Sequence, residues 1–141
     1  MPLIRILKGL FSPSAKLSRL ERTIFDAVRD QLLPREAELW EKQLAAINRI
    51  HRSPDGKETS LYVMRGGKSD FPREICFARI GEFKIAVVDL VTSDGASQLR
   101  GRVWCVNGHV FSIEYKTSFK EFEKVANGEW KVQCHMETLP V

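Results

Sequence analysis

Between Leu17 and Leu32 the apolar residues Leu20, Ile24 and Val28 return every three or four positions, with Arg19, Arg22, Asp26 and Arg29 between them. That spacing sets the apolar side chains on one face of a helix and the charges on the other. Ser18 followed by Glu21 has the form of a capping box, and Ser14 offers a start one turn earlier. Pro34 lacks the amide proton a continuous helix needs and pushes Leu33 out of helical geometry, so the pattern resumes in a second helix. This helix carries Leu39, Trp40, Leu44, Ile47 and Ile50 on one side, with Glu38 and Lys42 spaced to pair on the exposed side. Ser53-Pro54-Asp55-Gly56 closes the helical half, predicted over residues 17–51.

Beyond Gly56 the apolar period falls to two, which predicts strands over Thr59–Arg65, Arg73–Ile80, Phe83–Val91, Gln98–Val106 and His109–Lys116. Ile80-Gly81-Glu82-Phe83 suits a type II′ hairpin, Asn107-Gly108 a type I′ hairpin, and Ser93–Ser97 a longer loop. Ser118 and Glu121 then open a short helix bearing Phe119, Phe122 and Val125, which Asn127-Gly128 ends. Trp130, Val132, Cys134 and Met136 alternate with Lys131, Gln133, His135 and Glu137 as a half-buried final strand.

These elements predict an α+β fold: two N-terminal helices packed on a twisted antiparallel sheet of about six strands, a meander with the helix-on-sheet shape of cystatin-like folds. The predicted organisation is a basic amphipathic arm over residues 1–16 and a single domain over 17–141, strand-rich from 57 to 141. At 141 residues the chain can bury one core without disulfide or metal support. A hydrophobic share of 43% and a charged share of 28% are those of ordinary globular domains and argue against disorder. A net charge of +4 implies nucleic acid only if the cations cluster. Cys76, Cys105 and Cys134 are an odd number on strand-like segments, which points to free thiols in a reducing, cytoplasmic setting.

In the arm, Leu3, Ile6, Leu7, Leu10 and Phe11 recur at helical spacing beside Arg5 and Lys8, with no acidic residue before Glu21. Membrane contact by residues 1–12, or a targeting segment, is one reading of that pattern. Arg5 and Lys8 interrupt any signal-peptide core and Pro13 ends the segment, so docking on the domain or on a second copy is favoured.

Several stretches invite chemistry. Arg65-Gly66-Gly67-Lys68-Ser69-Asp70 holds the Gly-Lys-Ser that closes a phosphate-binding P-loop, but Tyr62 occupies the first glycine position and a strand, not a helix, is expected next. A glycine turn explains it better. Cys105, His109, Cys134 and His135 are zinc-ligand types, yet alternation sends Cys105 and His109 to opposite faces, and Cys134 and His135 likewise, so no metal site is expected. The same geometry weakens a Cys-His nucleophile. Glu74 and Asp89 are expected across a hairpin from each other, where close carboxylates can shift one another's pKa, but such pairs are usually solvated. His51 has no evident partner.

The register of the fourth and fifth expected strands places Arg100, Arg102, Trp104 and Val106 on one face with Tyr115, Ile113, Phe111 and His109. Arginines beside aromatics on a sheet can hold single-stranded nucleic acid, so Arg100, Arg102, Trp104 and Tyr115 form a lesser alternative site. The middle strands are apolar on both faces: Ile75, Phe77, Ala86, Val88 and Leu90 on one, Cys76, Ala78, Ile80, Phe83, Ile85 and Val87 on the other. The helical half covers one, and the N-terminal arm, the short late helix or a second protein chain must cover the other, with binding to another protein or to a second copy as the favoured reading. The expected function is therefore that of a non-catalytic interaction or accessory protein, with no cofactor implied. The alternative is a small-ligand or hydrolytic pocket between helices and sheet, lined by Trp40, Trp104, Phe111 and Tyr115 with Glu114, Asp89 or His109 as polar groups.

Overall fold

The computed structural model describes residues 16–141; the predicted arm, and with it the membrane and targeting readings, lies outside the described residues. The chain runs α1 (Arg19–Arg29), α2 (Pro34–Ala46), β1 (Arg49–Arg52), β2 (Glu58–Tyr62), β3 (Met64–Arg65), β4 (Lys68–Ser69), a 3-10 turn (Arg73–Ile75), β5 (Glu82–Thr92), β6 (Gln98–Val106), β7 (His109–Tyr115), α3 (Phe119–Ala126) and β8 (Trp130–Met136). Six of the strands form one sheet in the order β1-β2-β7-β6-β5-β8, every neighbouring pair antiparallel, while β3 and β4 make a separate ribbon. The fold is α+β, with two N-terminal helices and α3 packed on the sheet.

The capping box predicted for α1 is complete: Glu21 N–H donates to Ser18 Oγ at 3.1 Å, and Ser18 N–H donates to Glu21 Oε1 at 2.8 Å. Leu33 caps α2 in extended geometry with Pro34 in the first turn, as the pre-proline restriction requires. α1 and α2 bury Leu20, Ile24, Phe25, Val28, Trp40 and Leu44 against the sheet. There they meet Leu61, Leu90, Leu99, Val103, Cys105, Val110 and Ile113, all at most 1% exposed. Trp40, fully buried, places Phe25 edge-on at 5.9 Å and Phe77 in a stack at 6.4 Å, and its indole N–H donates to Phe25 O at 3.0 Å. A buried indole donor left unpaired would oppose that burial.

Polar ties hold the helices to the strands. Glu21, 1% exposed, receives Arg52 Nε and Nη2 at 2.7 and 2.8 Å, and Thr59 Oγ1 at 3.4 Å. Gln43, fully buried, donates to Ile75 O and Gly108 O and accepts from Val110 N–H, at 2.8 to 3.0 Å. Gly108 also accepts from Phe77 N–H at 2.7 Å, an approach so close that a Cβ there would lie 2.1 Å from Phe77 O.

Four expectations need correction. The second helix stops at Ala46 rather than near residue 51, because Asn48 leaves the helical path: its side chain exchanges hydrogen bonds with Met64 N and O at 2.7 and 3.0 Å, and its N–H donates to Tyr62 O. Ile47 and Ile50 are buried in this extended chain, and their i, i+3 spacing suits a helix face as well, so the spacing does not tell helix from strand. The expected strand Arg73–Ile80 is a 3-10 turn and irregular chain, Ile80 is 85% exposed, and no type II′ hairpin forms at Gly81. β8 takes the edge of β5 instead, pairing it from Ala86 opposite Met136 to Thr92 opposite Trp130. The first expected strand divides into β2 and the β3–β4 ribbon, whose turn is Gly66-Gly67, both at positive φ. The glycine-turn reading of that stretch stands, and the chain leaves β4 for a 3-10 turn rather than for a P-loop helix.

The register also differs through two bulges. The Asn107-Gly108 turn is type I′, with φ of 48° and 87°, and Val106 and Cys105 face His109 and Val110 as expected. One residue further the ladder shifts, so that Trp104 faces Ser112, Arg102 faces Glu114 and Gly101 faces Tyr115. Phe111 is the extra residue, and everything beyond it changes face. A second bulge at Ile85 separates Lys84 opposite Trp104 from Ala86 opposite Val103. It lets Phe83, Ile85, Ala86, Val88 and Leu90 all join the core beneath the helices.

Gly108→Ala is expected to cost about 3 kcal/mol, since the left-handed backbone and the Phe77 contact both reject a Cβ. Arg52→Met should also cost about 3 kcal/mol by leaving the buried Glu21 carboxylate without its cation, whereas Glu21→Gln should cost less. Urea denaturation of the three variants reads both differences.

Candidate functional site

The helices cover one face of the sheet. The other face, taken from strand alternation, presents Arg49 and His51 of β1, Glu58, Ser60 and Tyr62 of β2, and Phe111, Ser112 and Glu114 of β7. Across β6, β5 and β8 it continues with Arg100, Arg102 and Trp104, then Val87 and Asp89, then Lys131, Gln133 and His135. No helix among the described residues lies on it. Val87 is buried at 8% yet stands apart from the core, between Arg102 and His135 on the neighbouring strands. The two-sided apolar reading therefore holds for a few positions of β5; Cys76, Ala78 and Ile80 are not in the sheet at all.

Where β7 bulges, Trp104 and Phe111 are half-buried side by side and line an open cleft of about 220 Å³ with Glu58, Glu82, Ser112 and Glu114. Trp104 Nε1–H donates to Glu114 Oε1 at 3.3 Å. Glu58 stands directly opposite Glu114 in the β2–β7 register, an arrangement of like charges that destabilises a sheet. None of the ion pairs among the described residues includes Glu58, Glu82 or Glu114, although Arg102 faces Glu114 in the β6–β7 register.

The residues expected to line one pocket are distributed over separate places. Trp104, Phe111 and Glu114 meet in the outer cleft, but Trp40 is in the core under the helices. Tyr115 is also inside, 3% exposed on the face the bulge gave it, with Phe119 at 5.3 Å; burial and then the charge of Glu21 push its phenol pKa up. Asp89 sits on the outer face in a two-bond pair with Arg100, at 2.8 and 2.9 Å, and these bonds hold its carboxyl below the usual range. His109 stacks on Phe71 at 3.9 Å, and its pKa is lowered by burial. Glu74, in the 3-10 turn, does not pair with Asp89.

For nucleic acid, Arg100, Arg102 and Trp104 do share the outer face but Tyr115 does not, Arg100 is engaged by Asp89, and carboxylates surround the aromatic cleft. Cys105 and Cys134 point toward the helices, while His109 and His135 are on the other side. Among the described residues no group of three or more His, Cys, Asp and Glu is placed to hold a metal ion. Burial alone raises the Cys105 thiol pKa, and the Cys134 thiol is pushed up to about 11 by burial and then the charge of Asp30. Both thiols are protonated at neutral pH and poor nucleophiles.

Sequence reasoning missed Glu58, Glu82, Ser112 and Tyr62 as members of this face. Their side chains carry no motif; the bulged register brings Glu58, Ser112 and Tyr62 to the side of Trp104, and Glu82 reaches it from the start of β5.

Because Asp89 has a depressed pKa in the folded state, its pairing adds stability above the unfolded carboxylate value of about 3.9 and loses it as pH falls through the folded value. The difference in melting temperature between the protein and Arg100→Met should therefore be full at pH ~6 and shrink as pH falls below the unfolded carboxylate value and through the lower folded one; calorimetry from neutral to acid pH checks it. Compared with models of protein families, with curated protein sequences and with solved structures, the chain matches none.

Proposed function

We propose that the protein is an interaction module that binds another protein through the open face of its sheet, with the Trp104–Phe111 cleft receiving a lysine or arginine side chain of that partner. The observation that carries this reading is the cleft itself: two half-buried aromatic rings bordered by Glu58, Glu82 and Glu114, none of them in an ion pair among the described residues. An aromatic face attracts a cation through its quadrupole, and the surrounding carboxylates add charge complementarity while rejecting phosphate backbones. Trp, Tyr and Phe at the centre of an uncovered patch with a charged rim is the usual composition of a protein contact surface. Free Cys76, Cys105 and Cys134 support a reducing, cytoplasmic setting. Among the described residues no helix is long and apolar enough to cross a membrane.

The test places a photo-crosslinking residue at Tyr62, at the edge of the face, and captures partners in the native cells with nuclease present. One stoichiometric protein should be captured, lost with Trp104→Ser/Phe111→Ser, and reduced at least tenfold with Glu58→Gln/Glu114→Gln. Capture that ignores these substitutions, or that nuclease abolishes, overturns the reading. A small cation bound by the isolated domain and lost with the same substitutions would convert it to a ligand pocket.

A further inference from the structure

The two ends of the sheet are built differently. β1 is short, carries Arg49, His51 and Arg52 within its residues, and has the Lys16 carbonyl bound to Arg52 Nη2 at 3.1 Å. Charge and brevity blunt such an edge against further pairing. β8 is seven residues long, contains no proline, pairs with β5 without a register shift, and among the described residues has no strand on its outer side.

The hydrogen-bond phase of β8 is set by one contact. Glu137 N–H donates to Ile85 O at 2.8 Å, so in an antiparallel ladder Lys131, Gln133 and His135 direct their backbone groups at β5. Trp130, Val132, Cys134 and Met136 direct theirs away from the sheet, toward no strand of the described chain. A second strand must satisfy that row of donors and acceptors in the same phase, and an identical β8 running the other way does so whenever the two-fold axis passes through a residue of the strand.

We propose that this edge is a homodimer interface, in which β8 pairs antiparallel with β8 of a second copy about an axis through Cys134. Side-chain chemistry selects that register. It sets Lys131 opposite the partner's Glu137, Gln133 opposite the partner's His135, and Val132 opposite the partner's Met136. An axis through Gln133 would set Glu129 against the partner's Glu137, a like-charge contact. Lys131 is in no ion pair among the described residues, and Glu137 has Lys84 at 3.4 Å and 42% side-chain exposure, leaving room for a second cation. Val132 is 39% exposed on the side facing the helices, where the partner's Met136 would cover it. This interface is distinct from the open face and does not depend on its function.

The experiment is sedimentation equilibrium of the full chain at micromolar concentrations. The protein should behave as a dimer of its 16.1 kDa chain. Val132→Pro removes an outward N–H without breaking a bond to β5, so the variant should keep its circular dichroism and become monomeric. Lys131→Glu, an exposed charge reversal that leaves the strand's backbone intact, should weaken association at least tenfold and serves if the proline variant does not fold. Trp104→Ser/Phe111→Ser should remain dimeric, which separates this interface from the open face. A monomer up to hundreds of micromolar overturns the proposal, and so does a dimer indifferent to Val132→Pro or to Lys131→Glu.

Discussion

A buried carboxylate organises the helical corner of this protein. Glu21 is removed from water, and a bare anion in that position would cost several kcal/mol. The cost is met by converging donors from different parts of the chain: the two guanidinium bonds of Arg52, the backbone N–H of Ser18 and, more distantly, the hydroxyl of Thr59. Those partners belong to the start of α1, to β1 and to β2, so satisfying one charge fixes the helix against the end of the sheet. Gln43 does the same for α2 against the β6–β7 turn. Apolar burial attracts helix to sheet without direction; these two polar groups give the contact a single register.

With the helices placed, the bulges decide which chemistry reaches the opposite face. Without the extra residue at Phe111, Ile113 and Tyr115 would share a side with Arg102 and Trp104, and Ser112 and Glu114 would be inside. The bulge keeps the large apolar residues under the helices while setting Glu114 and Ser112 beside Trp104. The aromatic and acidic character of the cleft is a product of that single insertion, in keeping with the tendency of bulges to re-aim side chains near sites.

The legible parts of the sequence were those with local causes. The capping box of α1, the break at Pro34, the Gly66-Gly67 and Asn107-Gly108 turns and the alternation of β8 each depend on residues a few positions apart, and the structure has them all. The α+β class rested on these. What failed depended on distant partners. Asn48 abandons helix geometry for Met64, sixteen positions away, and β5 prefers β8 to the chain immediately before it. The bulges leave no signal in a pattern of period two. For the site, the sequence groups Trp104, Phe111 and Glu114, which do meet, whereas Trp40, Tyr115, Asp89 and His109 join that group only through a register that the Phe111 bulge displaces or a general picture of helix over sheet.

The pairing of β5 with β8 also sets an order of events during synthesis. β5, β6 and β7 can zip together through adjacent hairpins as soon as they emerge, but the far side of β5 waits until α3 and β8 have been translated. During that interval the longest and most apolar strand in the sheet has an open edge beside partly covered Ile85, Val88 and Leu90. Until β8 docks, that edge is free to pair with another chain, so partly folded forms that lack β8 are the ones most exposed to aggregation.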